Sequence, residues 1–269
     1  MEPGLALMPR QASDPRCLAY TVAFLFCLFV TAVVALHPDW FDRPLAERIR
    51  SVARDHHFAS VLALYISNSA LEGAVVVSLL WHCWFSRAEE ELRSRMVSGI
   101  FAAVLAGLVA HLLQHALPSP PKPIFDPMLE LSPPAVPGDT EDLAAAGPSN
   151  GHTFPSERAT MFAGLAILIF LIRPRLGSVA LACTAVVETS RIYVGFHYPG
   201  DIIGSLFLAS TTLWPTQMRW GWRLGQRVVT WERSHTATFY MLAFLACYQM
   251  VTAFQDLRDL VAQVLRGTP

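Results

Sequence analysis

The chain has 269 residues, a formal net charge of −1, 53% hydrophobic residues and only 15% charged residues. Soluble domains carry about 25% charged residues, so this composition argues against an ordinary soluble globule. A nearly neutral chain also gives no reason to expect nucleic-acid binding. Several windows contain no Asp, Glu, Lys or Arg and approach or exceed the roughly 20 residues of a membrane span; they are 17–36, 96–121, 202–218 and 234–254.

These windows and the shorter apolar stretches between them predict an all-α fold, a polytopic membrane bundle of six core transmembrane helices and a C-terminal seventh. The predicted spans are 17–36, 60–85, 96–117, 157–173, 176–193, 199–216 and 235–254. The first is expected to be an uncleaved anchor, because its apolar run is too long for the core of a secretion signal. We divide the chain into an N-terminal part, a catalytic core and a C-terminal span with its tail, which are residues 1–94, 95–216 and 217–269.

Two segments between the predicted spans differ from the rest. Segment 40–57 is typical of an amphipathic helix at a membrane surface, and we expect its charges to be solvated. Segment 118–155 contains ten of the nineteen prolines and has no helical period. A loop of this length either folds over a functional site or, in its middle at 128–147, is a flexible linker.

The distribution of basic residues predicts the orientation. The loops on the side of the N-terminus contain eleven Lys and Arg, against nine on the other side, or six once three candidate site residues are left out. Basic loops stay in the cytoplasm, so we expect a cytoplasmic N-terminus and a site that faces the opposite compartment. In a bacterium this is the periplasmic side of the inner membrane.

The five cysteines lie in or beside apolar spans without a C-x-x-C pair and are expected to be small buried hydrophobes.

Three polar clusters fall on that one membrane face, where ionisable side chains are costly enough to indicate function. They are Pro121-Lys122-Pro123 after the third span, Phe154 to Thr160 opening the fourth, and Ser190 to Asp201 between the fifth and sixth. In the last cluster, arginine suits anionic oxygens, histidine can act as nucleophile or base, and aspartate can hold the imidazole. The residues in question are Arg191, His197 and Asp201.

Residues that favour helix N-termini also lie on this predicted face of the membrane. Ser156 is a good N-cap for a helix that begins at Glu157, and such an N-terminus attracts anions. Pro199 suits the first position of the sixth helix. His197 then lies just before that helix, and Asp201 in its first turn.

The pattern Ser190-Arg191-x5-His197-x3-Asp201 resembles the third signature element of the type-2 phosphatidic acid phosphatase and haloperoxidase superfamily, over about 95–216. Phe154-Pro155-Ser156 resembles the second element in the undecaprenyl-diphosphate-phosphatase-like branch. The resemblance implies metal-independent hydrolysis of a lipid phosphate or diphosphate without a cofactor, through a phosphohistidine on His197 that Asp201 orients. The residues that it places on the phosphoryl oxygens are Lys122, Ser156, Arg191, Ser190 and His115.

Three positions depart from the family pattern. Lys122 stands where the first element has arginine, and His115, seven residues earlier, stands where the family has a basic residue. Arg158 replaces a histidine that protonates the leaving oxygen in the family, and arginine cannot act as a general acid. One alternative is that His152 supplies the proton, although it is equally an ordinary loop histidine.

The other alternative is that the leaving group needs no proton. A diphosphate expels a phosphate monoester, which is a stable anion with a second pKa of about 6. Arg158 would then stabilise the charge that grows on the leaving phosphate.

The leading hypothesis is therefore a membrane phosphatase of a polyprenyl diphosphate. The alternatives are a phosphatidate-type monoester phosphatase, a phosphotransferase, or a catalytically weak relative that binds lipid phosphates. The expected partners are the lipid substrate and membrane lipids, and the sequence leaves the oligomeric state undetermined.

Two further groups of residues have structural explanations. Glu72 and Glu188 lie inside predicted spans and are expected to pair with basic groups, with Glu188 three residues before Arg191. His111 and His115 are one helical turn apart, which allows a metal site, but the sequence shows no acidic partner for them. We therefore expect no metal.

Overall fold

The computed structural model describes residues 29, 31–33, 37–54, 56–86, 89–117, 119–129, 153–218, 221, 223–252 and 254. Throughout this part of the chain the regular secondary structure is helical, which agrees with the expected all-α class. The helices are α1 (Asp42–Arg54), α2 (His57–Ile66), α3 (Ser69–Ser86), α4 (Glu90–Ala116), α5 (Glu157–Ile172), α6 (Pro174–Val194), α7 (Pro199–Leu213), α8 (Arg223–Ser234) and α9 (Thr236–Val251). Short 3₁₀ turns occur at Pro123–Phe125 and Trp214–Gln217. Most of the predicted first span and the middle of the long loop lie outside the described residues.

Helix α5 is the centre of the bundle. It packs against α3, α4, α6 and α7, and nearly all of its residues from Ala159 to Ile169 are buried. Small residues make this possible, because a Cβ on Gly164 would lie only 3.0 Å from the Ala103 Cβ of α4. Close approach of helix backbones at small residues increases the packing contact between them. The N-terminus of α5 is thereby fixed among the ends of its neighbours.

Within the described residues the predicted spans after the first correspond to helices, but not all of them have membrane-spanning length. Among the described residues, α4 alone is long and apolar enough to cross a membrane as one helix. Helices α2 and α3 qualify together as a second candidate, although they are bent by 45° at a short break. The predicted span over 60–85 thus corresponds to two helices that meet at a bend. Helix α9 is apolar but shorter.

Helix α1 forms where an amphipathic helix is expected, but the expectation that its charges are solvated is wrong for the first turn. Asp42 is only 4% exposed, and Arg43 forms ion pairs with Asp39 and Asp126. The reason is tertiary, because α1 packs against α6 and α7 and its inner face meets their polar ends.

Helix α8 has no counterpart among the predicted elements. Its buried face, which includes Gly225 and Val229, packs against α4. The Gly225 N–H donates to the Ser98 hydroxyl at 3.1 Å, and a Cβ on Gly225 would lie 1.9 Å from the carbonyl oxygen of Ser94. Only glycine permits this approach of α8 to α4.

We expect Gly225→Ala to lower the free energy of unfolding by about 1–3 kcal/mol, since the new methyl group meets backbone that cannot rotate away. The thermal melting temperature of the purified protein measures the effect. Gln226→Ala, at the exposed neighbouring position of the same helix, is the control and should leave the melting temperature nearly unchanged. Equal melting temperatures for the two variants would contradict the close contact.

Candidate active site

Three helix ends meet at one buried cluster of polar side chains around Ser156, Arg191 and His197, which we name the pocket. Ser156 is the N-cap of α5, and its hydroxyl accepts from the Ala159 N–H at 3.4 Å. Arg191 lies in the last turn of α6, which ends at Gly195 in the left-handed conformation, with φ +91°. Glycine is the residue that adopts this conformation without a steric cost. The chain then continues through His197 into α7, which begins at Pro199 as expected.

The His197 ring is held by two of these elements. Its Nε2 lies 3.3 Å from Arg191 Nη2 and 3.2 Å from Ser156 Oγ. A guanidinium only donates hydrogen bonds, so Nε2 must be the accepting, unprotonated nitrogen. The proton of the neutral ring is therefore on Nδ1, an assignment that follows from the hydrogen-bond network. The arrangement leaves the Nε2 lone pair among donors that suit an anion.

Asp201 lies on the other side of the ring. Its Oδ2 is 3.4 Å from His197 Nδ1, which is long for a regular hydrogen bond. The same oxygen accepts from the Tyr198 N–H at 2.8 Å. Asp201 thus fixes the backbone at the start of α7 and simultaneously presents a carboxylate to the Nδ1 side of the ring.

The Arg191 guanidinium makes further contacts besides the one with His197. Its Nη1 donates to the carbonyl oxygen of Ser67 at 3.1 Å, in the break between α2 and α3. Its Nε lies 3.8 Å from Glu188 Oε2, which confirms the expected contact between residues i and i+3. Glu72 is buried beside Glu188, and both interact electrostatically with Arg191 and Arg158. The two glutamates therefore lie within electrostatic range of two basic groups of the pocket.

Burial and the nearby cations together determine the protonation of the pocket. Burial and then the charges of Arg191, Lys122 and Arg158 hold the pKa of His197 well below its usual value. The imidazole is consequently neutral at physiological pH, which is the form that can act as a nucleophile. Burial, followed by the charges of Arg191 and Arg158, lowers the pKa of Lys122 to about 8. Lys122 and Arg158 thus belong to the electrostatic environment of His197.

Two further predicted site residues, Ser190 and His115, make contacts within their own helices. The Ser190 hydroxyl donates to the carbonyl oxygen of Val186 within its own helix, at 2.8 Å. His115 is exposed, and its Nδ1 lies 2.9 Å from the carbonyl oxygen of His111. His152 lies outside the described residues. The structure therefore brings Arg191, His197, Ser156, Lys122 and Arg158 together, and Ser190 and His115 are engaged by their own helices.

Sequence reasoning missed several residues around the pocket. On α4, Gln114 rather than His115 reaches the segment before α5, where it donates to the Pro155 carbonyl at 2.7 Å. His111 contacts Glu157 at 3.0 Å, so the expectation that it has no acidic partner is wrong. Asp126 and Tyr198 bond to each other at 2.7 Å. Asp126 could have been proposed from the sequence, because it follows Lys122 by four residues in the same proline-rich segment.

A sequence profile of the PAP2 superfamily matches residues 95–226. This range contains every described residue of the pocket that is named above except Ser67 and Glu72, and this part of the chain belongs to this superfamily. A neutral histidine among cationic side chains agrees with this match.

One curated relative matches part of the chain. "Putative undecaprenyl-diphosphatase YbjG" of Escherichia coli (strain K12) is 35% identical over 86 residues, which are 30% of this chain and 43% of the relative. The matched segment thus covers less than half of that protein. No solved structure gives a significant match.

The pKa of Lys122 predicts an alkaline limit to activity. Its amine is charged below about pH 8 and loses its charge above it, so kcat/KM for phosphate release should fall as pH rises through this region. Lys122→Arg should keep activity to a higher pH, since a guanidinium stays charged beyond about pH 12. The measurement is kcat/KM against pH for both proteins. The same alkaline limb in both would show that Lys122 does not control it.

Proposed function

We propose that the protein is an integral-membrane lipid phosphatase that hydrolyses a polyprenyl diphosphate through a phosphohistidine on His197. The observation that carries this proposal is the position of His197 Nε2, 3.3 Å from Arg191 Nη2 and 3.2 Å from Ser156 Oγ. A lone pair held between two donors is placed to meet the phosphorus of a group whose oxygens those donors bind.

The proposed reaction has two steps. The Nε2 lone pair attacks the terminal phosphorus, and the bond from this phosphorus to the bridging oxygen breaks. A lipid monophosphate leaves with that electron pair, and the Nδ1 proton remains on the ring beside Asp201. Water then attacks the phosphohistidine, which releases inorganic phosphate and restores neutral His197. The oxygens are held in both steps by Lys122, Ser156 and Arg191.

The substrate class follows from Arg158. This residue lies within electrostatic range of His197, where it can stabilise negative charge but cannot donate a proton to an alkoxide. A diphosphate needs no such donor, because its leaving group is a phosphate monoester with a second pKa of about 6. The name of the Escherichia coli relative, which mentions an undecaprenyl diphosphate, supports the same class.

Exposed apolar faces support a membrane location. The outward side of α4 repeats large apolar residues at helical spacing, and α9 is apolar on most of its exposed surface. Contiguous apolar patches of this kind mark surfaces that are covered by lipid or protein. The residues are Phe101, Leu105, Leu108 and Leu112 on α4, and Met241, Leu242, Phe244, Leu245 and Tyr248 on α9. We place the protein in the bacterial inner membrane with the pocket facing the periplasm, as the basic residues of its loops favour.

We expect His197→Ala to lower phosphate release from a polyprenyl diphosphate by about a thousandfold or more, because the nucleophile is lost. His82→Ala, which removes an exposed histidine of α3, is the matched control and should keep full activity. The measurement is phosphate release by the protein in detergent. If wild type and His197→Ala release phosphate at the same rate, the covalent mechanism is wrong.

Arg158→His should restore a general acid. We expect it to raise turnover of phosphatidic acid by on the order of tenfold or more, whereas turnover of the diphosphate stays equal or falls. The ratio of the two rates in wild type and variant measures the effect. A wild-type preference for phosphatidic acid would contradict the diphosphate assignment and favour a phosphatidate-type phosphatase.

Arg158 also favours a second candidate, a catalytically weak relative that binds lipid phosphates without hydrolysing them. In that case wild type would bind a polyprenyl diphosphate but release no phosphate from it. A phosphotransferase would instead move the phosphoryl group to an acceptor lipid, which is detected by radiolabelled phosphate in a second lipid product.

A further inference from the structure

Helix α1 lies upstream of the segment that matches the PAP2 superfamily, which begins at residue 95. It nevertheless packs against α6 and α7, the two helices that flank His197. Its first turn supplies Asp42 and Arg43, and neither has a role in the proposed chemistry. Both reach backbone or side chains next to the pocket.

Asp42 bonds to the start of α7. Its Oδ1 accepts from the Gly200 N–H at 2.7 Å, and Gly200 lies between His197 and Asp201. Asp201 itself accepts from the Tyr198 N–H. Two carboxylates, one from outside the matched domain, thus bind the first amides of α7, where negative charge is favoured.

Arg43 reaches the same loop through Asp126. Its Nε donates to Asp126 Oδ2 at 3.0 Å, and the Tyr198 hydroxyl donates to the same oxygen at 2.7 Å. Burial alone would raise the pKa of Asp126, but the hydrogen bonds from Tyr198, the Met128 N–H and Arg43 hold it below its usual value. The carboxylate is therefore charged and joins α1 to the residue that follows His197.

The same contacts position Lys122. Asp126 ends the short 3₁₀ turn that begins directly after Lys122, and the Ile124 N–H in that turn donates to the Gly195 carbonyl at 3.0 Å. An apolar contact completes the junction, because Tyr198 is fully buried against one residue of α1 and one from the loop after the turn, Ala46 and Leu129. Fixing this junction fixes the distance between Lys122 and His197.

We propose that α1 is a positioning element of the active site: Asp42 holds the His197 loop through Gly200, and Arg43 holds that loop and the Lys122 segment together through Asp126. This inference rests on the proposed function for its kinetic consequences. A displacement of about 1 Å at a reacting group can reduce the rate on the order of a hundredfold. Loss of either contact should therefore lower kcat more than it raises KM.

The first experiment separates the hydrogen bond of Asp42 from its charge. Asp42→Ala removes the acceptor of the Gly200 N–H, whereas Asp42→Asn keeps an amide oxygen in its place. Burial raises the pKa of Asp42 to about 6 against the lowering effect of the Gly200 bond, so a neutral group is tolerated there. We expect Asp42→Ala to lower kcat by about ten- to a hundredfold and Asp42→Asn to remain within about threefold of wild type. Glu47→Ala, at an exposed acid of the same helix, should leave kcat unchanged.

The second experiment tests the Asp126 contacts. Tyr198→Phe keeps the buried ring but removes its hydroxyl, and Arg43→Met keeps the apolar stem but removes the charge. Each should lower kcat for the polyprenyl diphosphate by about tenfold with a smaller change in KM. Unchanged kcat in Asp42→Ala, Tyr198→Phe and Arg43→Met would overturn the proposal. Equal losses in Asp42→Ala and Asp42→Asn would also overturn it, because the charge and not the bond would then matter.

A binding measurement distinguishes failure of this inference from failure of the proposed function. Orthovanadate, a phosphate analogue, should raise the melting temperature of wild type, and Asp42→Ala should need about tenfold more of it for the same shift. If wild type has no turnover but this difference persists, the proposed function fails and the positioning role stands. If orthovanadate stabilises Asp42→Ala and wild type equally, the positioning role fails even where the phosphatase activity is confirmed. If wild type neither turns over the diphosphate nor responds to orthovanadate, both fail.

Discussion

The contact between Arg191 and His197 Nε2 is the constraint on which the site depends. A guanidinium has no acceptor, so its approach to 3.3 Å forces the imidazole to present a lone pair. The proton must then lie on Nδ1, facing Asp201. Ser156 can contact His197 only because the central helix α5 begins at the same depth in the bundle. The orientation and protonation of the His197 ring thus depend on this one pairing of two side chains.

Basic and acidic side chains are buried close together in this bundle. The charges of Lys122, Arg158 and Arg191 all lower the pKa of His197, after the larger effect of burial. Glu188 Oε2 lies 3.8 Å from Arg191 Nε, and Glu72 lies within electrostatic range of Arg191 and Arg158. Breaking such a set by removing one member is costly, because it leaves an unpaired buried charge. Burial, together with the same cations that would bind a phosphate, lowers the pKa of His197 and keeps the ring neutral.

Much of this arrangement was accessible from local sequence patterns. The N-termini of α5 and α7 follow from Ser156 and Pro199, and the contact of Glu188 with Arg191 follows from their spacing on a helix. Amphipathicity predicted α1 but not its role, because a hydrophobic pattern identifies an apolar face and cannot show which polar side chains meet a partner from a distant segment. Asp42 and Gly200 are 158 residues apart. Helix α8 was missed, since its sequence is polar and arginine-rich and its buried face depends on Gly225 lying against α4.

Sequence patterns were enough to predict the helical class, the superfamily motif and the basic residues that surround His197. These depend on hydropathy, helix-terminus preferences and short spacings, which act over a few residues. Three contacts became visible only in the folded bundle: Arg191 bonds to the Ser67 carbonyl, Ser190 and His115 bond within their own helices, and α1 contacts the start of α7. Such outcomes depend on where separate helices end relative to one another, and helix packing across the whole bundle sets those positions.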